Sequence, residues 1–388
     1  MEGFILGAMG LVVLVVAGLV LVGGRSVKNV SSGDMAREPE RWPPVALIVP
    51  VTGAAPGLGE RLGSLLTQDY PDYQVIFATR DREDPATGVI MPLISGHPRA
   101  GHVLSGRATA CGQKNQNLLA GLRTIGEGPE ILAFCDSNQL APATWLKELV
   151  RPIALGEAEV TSGYHHIIPQ DKRIATLGRA ISVLTLYLTK GFKRLNQPWG
   201  GATGIARSLF ESLGVAKLWA ENVVDDVSLA ARLIRAGILV GVAPGACLST
   251  PLAGETLTGW SQWLTRQWLY LKFCLPGTWL AAGLLQHLLA ILVIVAGGRC
   301  LLGLVGWSSP AAGLSAALFL TLLTGLGAAL RPLHPSPGPL KAWLAAFYAA
   351  IFMASWCHLQ TCFTQHLHWR GISYRVGRGG RVTEVREG

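Results

Sequence analysis

Three groups of acidic residues occupy positions where a folded chain could use them for chemistry, and the first contains Asp136. This residue follows directly on the apolar run Ile131–Cys135 and precedes Ser137 and Asn138. A carboxylate at the tip of a buried strand can hold a hard divalent cation, and that cation can bridge a diphosphate. Because Asp, Ser and Asn also cap turns and helices, Asp136 alone fits either a metal site or a cap.

The second group comprises Asp81, Glu83 and Asp84, which follow another apolar run, Gln74–Thr79. Carboxylates at a strand tip can accept hydrogen bonds from the base or ribose of a nucleoside. The alternative is an acidic turn that faces solvent. Two acidic groups at two strand ends favour a ligand site.

The third group, Asp225 and Asp226, stands at the start of a predicted helix, Val227–Ala236. The helix dipole stabilises an aspartate there, but two adjacent aspartates exceed what a cap needs. A carboxylate aimed at an acceptor hydroxyl can act as a general base. Upstream, the glycine-rich stretch Gly200–Gly204 predicts a flexible loop that a ligand can approach closely, although a plain turn fits equally well.

Aromatic and basic residues are concentrated just before the chain turns strongly apolar, between Trp260 and Trp268, with Arg266 and Lys272 among them. Such a composition suits the headgroup layer of a membrane. An arginine in this place could also neutralise a leaving diphosphate.

The elements that must position these groups alternate between strand and helix. The pattern predicts strands at Val45–Pro50, Gln74–Thr79, Ile131–Cys135, Ala158–Thr161 and Leu239–Ala243, and helices at Gly59–Thr67, Gln113–Ile125, Trp145–Leu155 and Val227–Ala236. Such alternation indicates an α/β fold with a mainly parallel sheet and helices on both faces. Ligands bind at the carboxyl ends of the strands in these sheets, where the first two acidic groups lie.

Composition points to a membrane protein. Half of the 388 residues are hydrophobic and only 15% are charged, whereas soluble domains carry about 25% charged residues. The net charge of +9 has no basic stripe that would bind nucleic acid, and it suits anionic lipid or a phosphorylated ligand. Seven scattered cysteines without a CxxC pair predict buried thiols in a reducing compartment, with no disulfide framework or zinc site.

The apolar segment Phe4–Val22 is nearly long enough to span a bilayer and lacks a basic region before it, which predicts an uncleaved anchor and not a signal peptide. Arg25 and Lys28 follow the segment, so the positive-inside rule places residue 25 onward in the cytoplasm. The predicted domains are a transmembrane anchor (1–24), a linker (25–42), a cytoplasmic block (43–275), transmembrane helices (276–365) and a basic tail (366–388).

The C-terminal membrane segments raise a conflict of topology. Three apolar segments follow Pro276: Trp279–Ala296, Ala311–Leu330 and Leu344–Cys362. One anchor plus three spans places the tail outside, yet the five arginines and two glutamates of the tail favour the cytoplasm. One resolution is that a segment lies in the membrane interface and does not span.

A shorter apolar stretch within 178–194, Ile181–Leu188, has basic residues on both sides, at Arg179, Lys190, Lys193 and Arg194. It is too short to span a bilayer. It predicts an interfacial helix whose basic side chains reach the headgroups, and the alternative is a buried core helix.

Together, the block at about 44–276 resembles processive and lipid-directed family-2-type glycosyltransferases, and most closely the ceramide glucosyltransferase family. The resemblance implies a nucleotide-sugar-binding fold of the glycosyltransferase A type. Arg82–Ala86 is similar to the first acidic motif of the family, which implies that Glu83 and Asp84 bind the nucleotide. Lys114 with Asn115 and Asn117 is similar to its Lys/Asn segment, which implies donor binding by Lys114.

The other two acidic groups carry the same resemblance. Asp136 is similar to the second motif, which implies binding of the donor and of Mg²⁺ or Mn²⁺. Asp225 and Asp226 are similar to the third motif, in which the second aspartate is the catalytic base. The tail sequence Trp369–Gly371 with Tyr374 also resembles a motif of membrane glycosyltransferases.

The sequence departs from the family at its Q/R-x-x-R-W motif. Arg266 matches the first position, but Leu269 and Tyr270 stand where the family has Arg and Trp. We favour a variant arrangement in which Arg266 supplies the catalytic cation and Trp263 or Trp268 the aromatic ring, with Gln267 and Trp268 in the donor site.

The resemblance implies a membrane-integrated, inverting glycosyltransferase that moves a sugar, with glucose the first expectation, from a UDP-sugar to a lipid hydroxyl such as that of ceramide. Membrane lipids are the expected surroundings, and the composition favours a bacterial inner membrane. Two alternatives stay open. One is a polysaccharide synthase or polyprenyl-phosphate sugar transferase, and the other is an inactive glycosyltransferase fold that serves as a membrane scaffold.

Overall fold

A computed structural model describes residues 2–25, 37–307 and 309–387, so most of the predicted linker at 25–42 lies outside the described residues. Its main feature is a seven-stranded sheet with the strand order β3-β2-β1-β4-β6-β5-β7. The strands are β1 (Val45–Pro50), β2 (Tyr73–Thr79), β3 (Ala100–Leu104), β4 (Ile131–Cys135), β5 (Val160–Pro169), β6 (Ala202–Ala206) and β7 (Gly241–Leu252). We refer to the described part of 43–275 as the sheet unit.

Helices cover both faces of this sheet and continue into the apolar C-terminal region. They are α1 (Glu2–Ala17, continued by a π-helix at Gly18–Gly23), α2 (Leu58–Leu66), α3 (Pro85–Ile94), α4 (Gln113–Leu122), α5 (Trp145–Ala154), α6 (Ile174–Thr189), α7 (Arg207–Ser212), α8 (Val215–Trp219), α9 (Asp226–Ala236), α10 (Leu257–Cys274), α11 (Pro276–Leu304), α12 (Pro310–Leu330) and α13 (Leu340–Cys362).

The centre of the sheet is parallel, as the sequence predicts. Strand β1 lies between β2 and β4, with Val45 opposite Tyr73 on one side and Ile131 on the other. Because these three strands run in the same direction, their carboxyl ends lie at one edge of the sheet. The residues that follow β2 and β4 therefore meet at that edge.

Alternate residues of β1 pack into two separate cores, one on each face of the sheet. Leu47 packs with Leu62 and Trp145 on one face, and Ile48 packs with Leu118 on the other. All of these side chains are fully buried. Burial of one such side chain contributes about 1.5–3 kcal/mol, so the apolar run of β1 holds both helical layers to the sheet.

The prediction of a flexible loop at Gly200–Gly204 is wrong for its second half. Residues Ala202–Ala206 form β6, a central strand that runs antiparallel to both β4 and β5. Its small side chains suit this position, because a Cβ on Gly204 would lie 3.0 Å from Thr161 Oγ1 of β5. Strand β3 and helix α3 were also not predicted from the sequence, since neither carries a clear apolar period.

Within the described residues, four helices are long and apolar enough to span a membrane: Glu2–Gly23, Pro276–Leu304, Pro310–Leu333 and Leu340–Cys362, with mean hydropathies of 2.9, 2.2, 1.8 and 1.4. At the end of α11, the Arg299 guanidinium pairs with the Glu2 carboxylate at 2.9 Å, which joins α11 to the start of α1. At its other end, the α1 segment packs closely on Leu188 of α6 through Gly23.

The predicted interfacial helix is α6, and it is largely buried between β5 and the apolar helices. Contrary to the sequence prediction, Lys190 does not reach towards lipid headgroups, because only 4% of the residue is exposed. Arg179 is also engaged within the protein, where its guanidinium pairs with Glu255 and lies over the Trp263 ring.

The basic tail folds into an antiparallel sheet of β8 (His366–Trp369), β9 (Ile372–Val376) and β10 (Val382–Glu387), called here the tail sheet. It packs on the sheet unit, where Val223 N donates to Gly380 O at 2.9 Å and Val382 N donates to Glu221 O at 2.8 Å. The tail and the sheet unit therefore lie on the same side of any membrane that the chain crosses.

The contact between α6 and α10 leaves no room for a side chain at Gly178, because a Cβ there would collide with the fully buried Trp260 ring. We expect Gly178→Ala to destabilise the protein by about 1–3 kcal/mol through overpacking. Gly63→Ala in α2 is the control, because its Cβ meets nothing within 4 Å and should stabilise by about 0.4–1 kcal/mol. Thermal unfolding in detergent measures both, and equal melting temperatures would contradict this packing.

Candidate active site

The site is built around the ammonium group of Lys114, the second residue of α4. Its Nζ lies 2.8 Å from Asp136 Oδ1 and 2.9 Å from Asp225 Oδ2. Asp136 follows β4, and Asp225 precedes α9, so one cation joins three separate elements. The structure thus brings together three of the residues that the sequence predicts for the site.

This ion pair is largely removed from solvent, because the side chains of Lys114 and Asp225 are 16% and 4% exposed. Burial opposes the charge on Lys114, but Asp136, Asp225 and Asp226 together hold its pKa well above the ordinary value. Lys114 is therefore a permanent ammonium. Removing one partner of such a buried pair costs about 3–5 kcal/mol, because the remaining charge is left uncompensated.

Asp226 adds a third carboxylate to this single ammonium. Its Oδ2 accepts from Gly200 N at 3.1 Å, and its Oδ1 accepts from Val227 N at 2.7 Å. Burial and the neighbouring charge of Asp225 raise the pKa of Asp226 to about 6, although Lys114 and both N–H groups oppose the rise. A carboxylate with a pKa in this range can accept a proton at neutral pH and hold it.

Gly200 lies against the Lys114–Asp225 pair with no space for a side chain, because a Cβ there would collide with Asp225 Oδ2 and lie 2.7 Å from Lys114 Nζ. The residue also supplies the N–H that holds Asp226. The sequence predicts that a ligand can approach this glycine closely. In the structure, the side chains of Asp225 and Lys114 lie there.

Asp84 lies at the end of β2, where the sequence predicts it. Its Oδ1 accepts from Ala86 N at 2.9 Å, which caps α3, and from Gly53 N at 2.8 Å in the loop after β1. Asp84 therefore joins the ends of two neighbouring strands. Glu83 is exposed beside it, and Asp81 pairs with Arg80 at 2.6 Å.

The turn between β8 and β9 carries Arg370, and this residue lies near Arg266 of α10 at the same edge of the sheet. The guanidinium groups of Arg266 and Arg370 lie 5.9 and 5.7 Å from the centre of the Trp369 ring, within the range of cation–π attraction. Arg370 also donates to Thr52 O, next to Gly53. Burial lowers the pKa of Arg370, and the charges of Asp136 and Asp84 oppose that change.

Arg370 is a site residue that the sequence analysis did not propose. It is the one non-glycine residue in the described chain with a positive φ, at 51°. Such a backbone costs energy and is typical of functional turns. The signal in the sequence was the Trp369–Gly371 motif, whose role could not be assigned without its position in the fold.

Gln267 and Trp268 make their contacts with α10 and α13, and the Trp263 ring lies under the Arg179 guanidinium. Gln267 Nε2 donates to Trp263 O within α10, and the Trp268 ring packs edge-on against His358 of α13 at 4.9 Å. Tyr270 lies on the side of α10 that carries Arg266, and its pKa, raised by burial, also responds to Arg266, Asp226 and Lys114. Tyr270 is thus one aromatic neighbour of the acidic cluster, and the variant arrangement favoured from the sequence stays a prediction.

A divalent metal fits this site only if the substrate completes its coordination. The described residues contain no group of three or more His, Cys, Asp or Glu side chains that could hold a metal. Asp136 is 29% exposed and uses Oδ1 for Lys114, so its second oxygen can bind a cation. Mg²⁺ commonly takes one or two protein carboxylates plus substrate phosphates, and three carboxylates around one ammonium leave negative charge for it to neutralise.

Lys190 is hydrogen-bonded to the segment that leads to Gly200, and the sequence analysis did not propose it as a site residue. Its Nζ donates to Gln197 O at 2.7 Å, Ser162 Oγ at 3.0 Å and Asn196 Oδ1 at 3.2 Å. Burial lowers the pKa of Lys190 to about 7, while the charge of Asp226 favours the ammonium. The bonds to Asn196 and Gln197 hold the segment 196–200 that leads to Gly200, and the bond to Ser162 joins it to β5.

With this geometry established, comparison with known proteins assigns a family. The sequence profile of glycosyl transferase family 21 matches residues 8–382. The chain belongs to glycosyl transferase family 21. This family is the ceramide glucosyltransferase-like group, so the resemblance identified from the sequence motifs is confirmed and extends over almost the whole chain, including both apolar regions.

One solved structure shows the same fold, and a second has a weaker likeness that carries no argument. Mannosyltransferase PcManGT from Pyrobaculum calidifontis, in complex with GDP-Man and Mn²⁺, aligns with a TM-score of 0.52 and 19% identity over 92% of this chain and 99% of its own. Glucosyl-3-phosphoglycerate synthase from Mycobacterium tuberculosis, in complex with phosphoglyceric acid, aligns with a TM-score of 0.41 and 15% identity over 63% and 81%. The glycosyltransferase fold with membrane helices is therefore confirmed for this family 21 protein.

We expect Gly200→Ala to lower the glycosyl transfer rate of this family 21 protein by about tenfold to a hundredfold, because the added methyl displaces Asp225 and Lys114 from their contact. Gly128→Ala is the control, since its Cβ meets nothing within 4 Å. Both variants are assayed for transfer and for melting temperature. Unchanged transfer by Gly200→Ala would contradict the close packing around Lys114.

Proposed function

We propose that this protein is a membrane-integrated, inverting glycosyltransferase that moves a hexose, with glucose the first candidate, from a UDP-sugar to the hydroxyl group of a membrane lipid such as ceramide. The single observation that carries the proposal is the position of the Asp226 carboxylate beside the Lys114–Asp136 pair at the carboxyl edge of the sheet. The pKa of Asp226 is raised to about 6 there. A base and a donor-binding pair at one edge are what such a transfer requires.

In this proposal Asp226 accepts the proton of the acceptor hydroxyl. The oxygen then bonds to the anomeric carbon, the bond from that carbon to the diphosphate breaks, and its electrons leave with the nucleoside diphosphate. Attack from the face opposite the leaving group inverts the anomeric centre. The N–H groups of Gly200 and Val227 orient the carboxylate for this step.

The proposed donor site lies between Asp84, Asp136 and the two arginines. Asp84 contacts the nucleoside, and the guanidinium groups of Arg266 and Arg370 bind the diphosphate by charge-assisted hydrogen bonds. Asp136 holds Mg²⁺ or Mn²⁺, which when bound offsets the negative charge that develops on the leaving diphosphate. The nucleotide sugar and Mn²⁺ bound by the Pyrobaculum calidifontis mannosyltransferase agree with such a donor site.

We infer the membrane orientation from the basic residues that flank the apolar helices. Arg25 follows the first span, and the tail carries five arginines. By the positive-inside rule both belong in the cytoplasm, where nucleotide sugars are made available. The seven free thiols agree with a reducing compartment, and a bacterial inner membrane is the proposed location.

The roles of the two aspartates are separable by experiment. We expect Asp226→Asn to reduce transfer by more than about a thousandfold, because no base receives the proton, while the UDP-sugar still raises the melting temperature. We expect Asp136→Ala to lose the Mn²⁺-dependent part of that thermal shift. Thermal shift with a panel of UDP- and GDP-sugars, with and without Mn²⁺, measures donor binding, and product formation on lipid vesicles measures transfer.

The control is Asp69→Asn, which removes an exposed carboxylate paired with Lys147 at 2.9 Å on the same unit. It should change neither readout. Full transfer by Asp226→Asn would rule out the base assignment. If no nucleotide sugar shifts the melting temperature of the unmodified protein, the transferase proposal fails and a scaffold role replaces it.

The pH dependence follows from the raised pKa of Asp226. The carboxylate must be ionised to accept a proton, so kcat is expected to fall about tenfold per pH unit below about 6 and to level off above it. Because Asp225 contributes to the raised pKa, Asp225→Asn should shift this acidic limb to lower pH. Profiles of kcat at saturating donor test this, and an acidic limb near pH 4 in the unmodified protein would contradict it.

A further inference from the structure

The contact between the tail sheet and the sheet unit limits how α11, α12 and α13 can cross a membrane. All three helices lie between these two parts of the chain. Three crossings would put the tail on the opposite side, yet Tyr374 Oη accepts from Gln113 N at 3.1 Å, and Val223 N donates to Gly380 O. An even number of crossings is required, so one of the three helices does not cross.

Helix α13 is the one that does not cross the membrane, because both of its ends are hydrogen-bonded to the sheet unit. Before its first turn, His334 Nε2 bonds to Ile167 O of β5 at 2.9 Å. After its last turn, Lys272 Nζ of α10 donates to Thr364 O at 2.9 Å. Helices α11 and α12 instead extend to the level of the Arg299–Glu2 pair. Along the first helix, Glu2 is about 33 Å from Gly23.

The exposed surface of α13 suits a helix that lies in the membrane interface. Phe352, Trp356, Leu359 and Phe363 are all exposed and follow one another at intervals of three or four residues. They therefore form one apolar stripe on one side of the helix. The opposite side packs on α6 and α10, so the stripe faces lipid while the helix stays against the sheet unit.

A groove of about 900 Å³ lies between this helix, α10 and the turn of the tail sheet; we call it the α10–α13 groove. Its volume is within the range of small-molecule sites. Leu257, Met353 and Trp356 line it near the membrane face, and Arg266, Trp369 and Arg370 line its other end. The groove thus leads from the apolar stripe to Arg370, which donates to Thr52 O at the carboxyl edge of the sheet, and to Arg266 beside it on Trp369.

We propose that the α10–α13 groove binds the acceptor lipid, with the hydrocarbon chain against Leu257, Met353 and Trp356 and the hydroxyl headgroup near Trp369. This inference rests on the proposed function, and it adds where the lipid enters and which residues select it. The chain enters from an apolar surface, because the groove opens beside the exposed apolar stripe of α13. The headgroup reaches the donor without the lipid leaving the membrane.

The polarity of the lining favours a lipid over other occupants. Apolar side chains stand at the membrane end, and Gln262, Thr265 and Gln360 offer hydrogen bonds along its middle. The described residues that line the groove include no carboxylate, so a cationic peptide finds no charge partner there. A single molecule with an apolar chain and an uncharged polar head matches this order of side chains.

The test fills the groove and compares acceptors of different chain length. Met353→Trp narrows the groove from α13, and Leu257→Trp narrows it from the exposed start of α10, where a larger side chain is tolerated. The matched control is Leu359→Trp, on the same helix but outside the groove and 43% exposed. The acceptors are ceramides with a long acyl chain and with a six-carbon acyl chain, in phosphatidylcholine nanodiscs.

We expect both groove variants to raise KM for the long-chain ceramide by at least about tenfold, equivalent to 1.4 kcal/mol of lost binding. KM for the short-chain ceramide and the UDP-sugar thermal shift should stay within about twofold, and the control should match the unmodified protein. Unchanged KM for the long-chain ceramide in both groove variants would overturn the proposal, because it means that the chain binds elsewhere.

A second measurement does not depend on transfer. Ceramide with a diazirine on its acyl chain is photolysed with the protein in the same nanodiscs, without donor, and labelled residues are mapped by mass spectrometry. Labels on the residues of α10 and α13 that line the groove, without any transfer, would support lipid binding in the groove and contradict the proposed function. Transfer with labels only on the outer faces of α11 and α12 would support the proposed function and contradict lipid binding in the groove.

Discussion

The ammonium group of Lys114 is the interaction on which the rest of the site depends. It lies within 2.9 Å of carboxylates from two different elements and near a third, and all are largely buried. Burial and the charge of Asp225 raise the pKa of Asp226, and one positive charge cannot neutralise all three carboxylates. In the proposed function, the same imbalance that costs folding energy supplies the base and the place for a metal-bound diphosphate.

The tail sheet holds this arrangement from the other side of the chain. Gln113 N, just before Lys114, donates to Tyr374 Oη, and the segment before Asp225 is hydrogen-bonded to Gly380 and Val382. The same sheet presents Arg370 to Asp84 and Asp136 from a strained turn. Residues separated by more than about 150 positions in sequence thus form one support.

Between the sheet unit and the spanning helices lies a layer made of α6, α10 and α13. Trp260 joins this layer by packing on Gly178 and by donating from Nε1 to Ser182 Oγ at 3.3 Å. Helix α10 contributes Arg266 to the polar edge of the sheet and Leu257 to the membrane side. In the proposed function, α10 is therefore the helix across which the donor and the lipid acceptor meet.

By itself the sequence determined the central strands, the acidic groups at their ends and the family, because apolar runs and motif spacing are local properties of the chain. It also raised the conflict of topology that the tail contacts resolve. Tertiary structure alone decided that Ala202–Ala206 is a central strand, that Lys190 points inward and that Tyr270 and Arg370 reach the site. Each depends on contacts between residues far apart in sequence, and local periodicity carries no information on which distant surface a side chain will meet.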